Sequence, residues 1–181
     1  VTVSAGTLAA AGGSAIGDTS AVTVSSGATL SLTGGNETIG SLAGAGNVVL
    51  SYRLTAGGDN SSTTFSGVIS STNSSGLTKA GSGTLTLTGA NSYTGSTSVS
   101  AGTLAVSGSG TVGNDSAVTV ASGATLSSSA ASLSLGSLAG AGTVSIGANT
   151  LSVGDDNTST TFSGTLGGSG DFYKRGSGTL T

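Results

Sequence analysis

The sequence predicts an all-β chain, a solenoid of short stacked strands, and three observations predict it. The chain repeats itself at an offset of roughly 96 residues, the mark of stacked units that bury their apolar faces on one another. Ser4–Leu8 (SAGTL) returns as Ser100–Leu104, Gly40–Gly46 (GSLAGAG) as Gly136–Gly142, Ser62–Gly67 (STTFSG) as Ser159–Gly164, and Gly81–Thr86 (GSGTLT) as Gly176–Thr181. Short runs alternate apolar and polar residues, the signal of a half-buried strand. Glycine is abundant, 34 in 181 residues, and proline is absent, which suits tight corners joined by uninterrupted backbone ladders.

The strands follow in order. Val22-Thr23-Val24, Leu30-Ser31-Leu32, Leu85-Thr86-Leu87, Val118-Thr119-Val120 and Leu133-Ser134-Leu135 each place two apolar side chains on one face and a hydroxyl on the other. Between them Ser25–Ala28, Gly34–Asn36, Gly44–Asn47 and Gly57–Asn60 are rich in residues that tolerate positive φ and read as corners. Glycine at this density, with so much Val and Thr, disfavours helix. Val22, Val24, Leu30, Leu32, Leu85, Leu87, Val99, Leu104, Val118, Val120, Leu126, Leu133 and Leu135 are expected to point inward. With about 20 residues per turn and a rise of about 4.8 Å, the chain makes roughly nine turns, about 40 Å long.

This is one solenoid segment over 1–181, with a first long repeat over 1–96 and a second, incomplete one over 97–181. A narrow interior leaves little room for aromatics. Phe65 and Phe162 occupy matching places and read as recurrent core plugs, Tyr93 as a corner residue lying over the adjacent turn, and Phe172-Tyr173 as a pair that the repeat does not explain. The chain begins and ends inside the repeat and reads as a window of a longer array, whose ends abut further repeats or another copy head to tail.

Charge narrows the function. Arg53, Lys79, Lys174 and Arg175 are the only cations, against seven carboxylates. Four scattered cations cannot neutralise a run of phosphates, so neither nucleic acid nor an anionic membrane is the expected partner. Cysteine is absent, so packing and backbone pairing must hold the fold. With no His and few charges, stability is expected to vary little between roughly pH 5 and 9.

No motif points to catalysis. Serine has no His to serve as its base and no GxSxG string occurs. Lys79 and Lys174 fall at equivalent places before GSGTL and read as solvated surface charges. Asp155-Asp156-Asn157 is the densest polar cluster, but Ca²⁺ needs six or more oxygens. Its counterpart Gly58-Asp59-Asn60 has turn chemistry. Gly167–Asp171 brings its carboxylate one residue too early for a calcium β-roll repeat and is not repeated. Gly108-Ser109-Gly110 opens no helix that could hold a phosphate, and Thr84–Thr88 recurs too sparsely to make an ice-matching array. The reading is therefore a non-enzyme with no catalytic, cofactor-binding or metal-binding residue and no cofactor.

Gly81–Val106, GSGTLTLTGANSYTGSTSVSAGTLAV, resembles the autotransporter-associated β-strand repeat, also called the passenger-associated transport repeat, of Gram-negative type V secretion proteins. The matching features are GTLTLTGANSYTG (Gly83–Gly95) and the TxVxAGTL ending (Thr97–Leu104). The half copies are Val1–Leu8 and Gly176–Thr181, and Ser20–Leu32 and Ser116–Leu126 are similar to stretches that alternate with the repeat in passenger domains. The resemblance implies a right-handed, single-stranded parallel β-helix exported through a C-terminal barrel to the bacterial cell surface or the medium. It also implies a non-enzymatic stalk or adhesin segment that mediates adhesion or self-association. The alternative is a structural subunit of an extracellular fibre or sheath built by end-to-end or lateral stacking. Expected partners are further copies of the repeat or of the chain itself, host or neighbouring cell surfaces, and glycans. Membrane insertion of this segment is not expected.

Overall fold

In the structure, a computed structural model describing residues 1–113 and 115–181, every strand pair is parallel and the chain winds through about eight turns. The described residues contain strands, turns and bends but no helix. Successive turns place Thr125 beside Thr143 and Thr143 beside Thr165, so a turn of 18 residues can be followed by one of 22, with corner length absorbing the difference.

Each turn visits three faces in a fixed order. The first face is one nine-stranded sheet: Thr2–Val3, Ala21–Val24, Ser41–Gly44, Thr63–Phe65, Thr84–Leu87, Thr103–Val106, Thr125–Ser128, Thr143–Ser145 and Thr165–Gly167. The second face is two separate sheets, Thr7–Ala10, Thr29–Leu32, Asn47–Leu50 and Val68–Ser71, then Ser132–Leu135, Thr150–Val153 and Phe172–Lys174. The third face runs from Glu37–Ile39 through Leu54–Ala56, Leu77–Lys79, Thr97–Val99 and Ala117–Val120 to Ser137–Gly140. Single bridges, Gly140 to Phe162 and Thr160 to Leu180, continue it.

The interior is built of columns, one residue per turn. Leu85, Leu104, Leu126, Val144 and Leu166 stack on the first face, and Leu8, Leu30, Val48 and Ile69 on the second. All thirteen residues predicted to point inward are buried. At the outermost turns the same columns are open, leaving Leu8 36%, Leu166 42% and Phe172 41% exposed. Phe172 and Tyr173 pair with Leu151 and Ser152 and hold the strand places that Leu77 and Thr78 hold beside Leu54 and Thr55. Phe65 is a fully buried plug, whereas Phe162 is half-buried against the core.

The long repeat is not a whole number of turns. Ser41–Gly44 lies on the first face, whereas its copy Ser137–Gly140 lies on the third. Likewise Thr29–Leu32 lies on the second face and Thr125–Ser128 on the first. One repeat therefore advances about four and two-thirds turns, and a feature present once per repeat reappears a third of a turn away around the axis.

Candidate functional site

The second face is interrupted where residues 88–95, 107–113 and 115–116 cross it without forming strands. Side chains replace the missing ladder. Buried Asn91 accepts from the Ile69 N–H of the turn before (2.8 Å) and donates Nδ2 to the Thr111 carbonyl of the turn after (2.7 Å). Thr111 Oγ1 in return donates to the Asn91 carbonyl (2.7 Å). Deeper in, Tyr93 is fully buried, with its ring against Gly113 of the adjacent turn. Its hydroxyl meets Thr97 Oγ1 (2.7 Å), which also contacts the Val112 carbonyl (3.0 Å) and Ser116 Oγ (2.9 Å), and Ser116 bonds the Gly95 carbonyl (2.9 Å). Burial pushes the Tyr93 phenol far above its usual value, only partly opposed by the Thr97 bond and the Arg53 charge.

The crossing loop 107–116 has a counterpart 96 residues earlier, loop 11–20, and the two are tied in opposite directions. In the first, the buried carboxylate of Glu37, from the following turn, accepts from the N–H groups of Ala15 and Ile16 at 3.1 Å each. In the second, the place of Glu37 is taken by Leu133, which has no acceptor to offer, and the loop is held to the preceding turn through Asn91 and Thr97. A cleft of about 380 Å³ opens above it, lined by Thr111, Gly113, Asp115, Ser132, Leu133 and Ser134. A shallower extension of about 220 Å³ runs between 108–111 and 130–132.

Charged groups elsewhere serve the scaffold. Lys79, expected at the surface, is buried: its strand alternation aims it inward above Ala56. Its Nζ donates to the carbonyls of Ala80, Gly81 (2.9 Å) and Ala101 (3.3 Å). Burial lowers its pKa, with Asp59 opposing. Lys174 repeats the arrangement, donating to the Arg175 and Gly176 carbonyls, but lies exposed on the last turn. The hydroxyls of Ser41 and Ser61 hold the Asp59 carboxyl below its usual 3.8. Asp156 accepts from Thr158 N–H as Asp59 does from Ser61 N–H. Asn60 and Asn157, at φ 63° and 62°, accept from the N–H of Ser82 and Ser177 one turn on. The Asp155–Asn157 cluster is thus a corner that repeats the one at 58–60, and Asp155 accepts from Ser134 Oγ (3.2 Å).

Glu37, Asn91 and Thr97 were not singled out by sequence reasoning. The signal for Glu37 lay in the one charged residue that breaks the match between 33–40 and 129–136.

Residues 77–106 match the passenger-associated transport repeat family. That span runs from the buried Lys79 through the Asn91–Tyr93 crossing to Thr103–Val106, four residues longer at its start than the string that carries the resemblance. The chain is also similar to the adhesin BmaC autotransporter of Brucella suis biovar 1 (strain 1330), 39% identical over 122 residues, which is 64% of this chain and 4% of that protein. The chain therefore spans a small fraction of the relative's length. No solved structure matches it. Family match and relative agree with the fold: residues 77–106 carry a passenger-associated transport repeat, within a chain wound into a parallel β-solenoid.

Proposed function

We propose that this segment is a non-enzymatic part of a stalk or adhesin displayed outside a bacterial cell by an autotransporter, where it mediates adhesion. The observation that carries this reading is the 39% identity to an autotransporter adhesin across 122 residues. The architecture supports it, because a solenoid of continuous ladders makes a rod that can hold binding surfaces away from a membrane. Expression of the full-length protein on a non-adherent bacterium, with and without this segment, tests it. Surface exposure of the segment to protease and a loss of attachment to host cells or to neighbouring bacteria on its deletion are expected. Unchanged attachment would rule out an adhesive role.

Self-association into a fibre is the second reading, supported by the parallel ladders, which further copies of the same fold can extend. Sedimentation of the full-length passenger distinguishes the two, since a fibre former assembles with rising concentration.

A further inference from the structure

We propose that the cleft between loop 107–116 and the strand Ser132–Leu135 binds a neutral, hydroxyl-rich ligand, a saccharide of one or two rings; this names a partner for the adhesive role and rests on that reading. Among the described residues the lining is short of donors. Thr111 and Ser134 have given their hydroxyl protons to the Asn91 carbonyl and to Asp155, so each presents oxygen lone pairs to the cleft. Asp115 adds an acceptor-only carboxylate, which has no hydrogen-bond partner among the described residues. It is also the one non-glycine residue at positive φ (51°), among those described, whose side chain does not cap the next turn, as Asn60 and Asn157 do.

A ligand that satisfies this wall must bring O–H or N–H donors, and neighbouring sugar hydroxyls supply them in pairs. Ser132, exposed at the rim, can give or take a proton. No Lys or Arg lines the cleft, so an acidic sugar would face Asp115 without a counter-charge. A cation is a poorer fit, because one carboxylate and a few neutral oxygens fall short of the set that Ca²⁺ requires. A volume of about 380 Å³ is near the lower end of small-ligand sites, about 300–1,000 Å³.

The first repeat supplies the control. There Glu37 draws the corresponding loop up to the next turn, so Leu133→Glu should close the cleft by the protein's own device without removing a lining hydroxyl. The 181-residue chain would be tested on an array of neutral and sialylated oligosaccharides, with and without EDTA. Hits would be titrated against Leu133→Glu, Asp115→Asn, Ser132→Ala and, on the far face, Thr64→Ala, with circular dichroism to verify folding. Binding of neutral saccharides, insensitive to EDTA, is expected to weaken about tenfold or more in the first three variants and to stay unchanged in Thr64→Ala. Neutral binding that survives all three cleft variants would overturn the site and leave the adhesin reading intact. So would preference for sialylated sugars, or dependence on a metal. Absence of any saccharide binding overturns the inference as well, while the attachment assay above still decides adhesion. If Leu133→Glu fails to fold, Asp115→Asn and Ser132→Ala carry the test.

Discussion

Phe65 stands directly above Gly44 in the inward column of the first face, and its ring lies against Gly67, where an added Cβ would come within 2.9 Å of Cζ. Phe162 stands in the same way above Gly140 on the third face. A Cβ added to Gly44 or Gly140 would come within 2.1 Å of the Val24 or Val120 carbonyl oxygen, and both glycines have φ of 109°. Ala at either place would be strained and would clash with backbone that cannot move aside. Gly44→Ala is therefore expected to destabilise by more than about 2 kcal/mol, and Gly140→Ala by a similar amount. Urea unfolding checks this; a Gly44→Ala chain as stable as the parent would refute the register.

The hydroxyl network behind the interrupted face makes an ordered prediction. Tyr93→Phe leaves Thr97 bonded to Val112 and Ser116 and should cost about 1 kcal/mol. Thr97→Val keeps the volume but strands the buried Tyr93 hydroxyl, so it should cost more. Tyr93→Ala, which empties the largest buried side chain, should cost about 3–5 kcal/mol. Equal stabilities for the first two variants would show that Thr97 is not the hub.

Ser128 is the stabilising opportunity. It occupies the place of Leu32 in the first repeat, is 6% exposed, and its Oγ has no hydrogen-bond partner among the described residues. Ser128→Ala removes an unsatisfied hydroxyl and should gain about 1 kcal/mol, a rise of about 2–4 °C in Tm for a chain of this size. Calorimetry would show it, and a fall in Tm would mean that the hydroxyl has a partner.

Lys79 makes stability depend on pH on the alkaline side. Its folded pKa is lowered below 10.5 by burial, so between the two values the unfolded chain binds more protons than the folded one. Stability should then rise with pH across that window and level off above the unfolded pKa. Asp59 acts at the acid end: its folded pKa is lowered below 3.8, so its contribution is present above that value and fades as pH falls through the folded pKa. Lys79→Met should abolish the alkaline rise at the cost of three carbonyl partners, and Asp59→Asn should blunt the acid loss. Denaturant midpoints measured from acid to alkaline pH test both.

The period, the alternation and the choice of inward residues can be read along the chain, because each is local. A residue's neighbours two positions away decide its face, and matching strings 96 residues apart declare a shared environment. Even so, Gly40–Gly46 and Gly136–Gly142 are identical strings on different faces, since the summed length of intervening corners, which no single stretch reveals, sets where a strand stops. Alternation with Leu77 aims Lys79 inward, but only the tertiary structure shows how its ammonium is satisfied there, by the Ala101 carbonyl that the next turn brings over it. Tertiary structure also decided the cleft, which exists because Leu133 sits where Glu37 would have drawn the loop upward. In a solenoid the partner of a polar group lies about 20 residues away, on the turn above or below, and only winding the chain brings the two together.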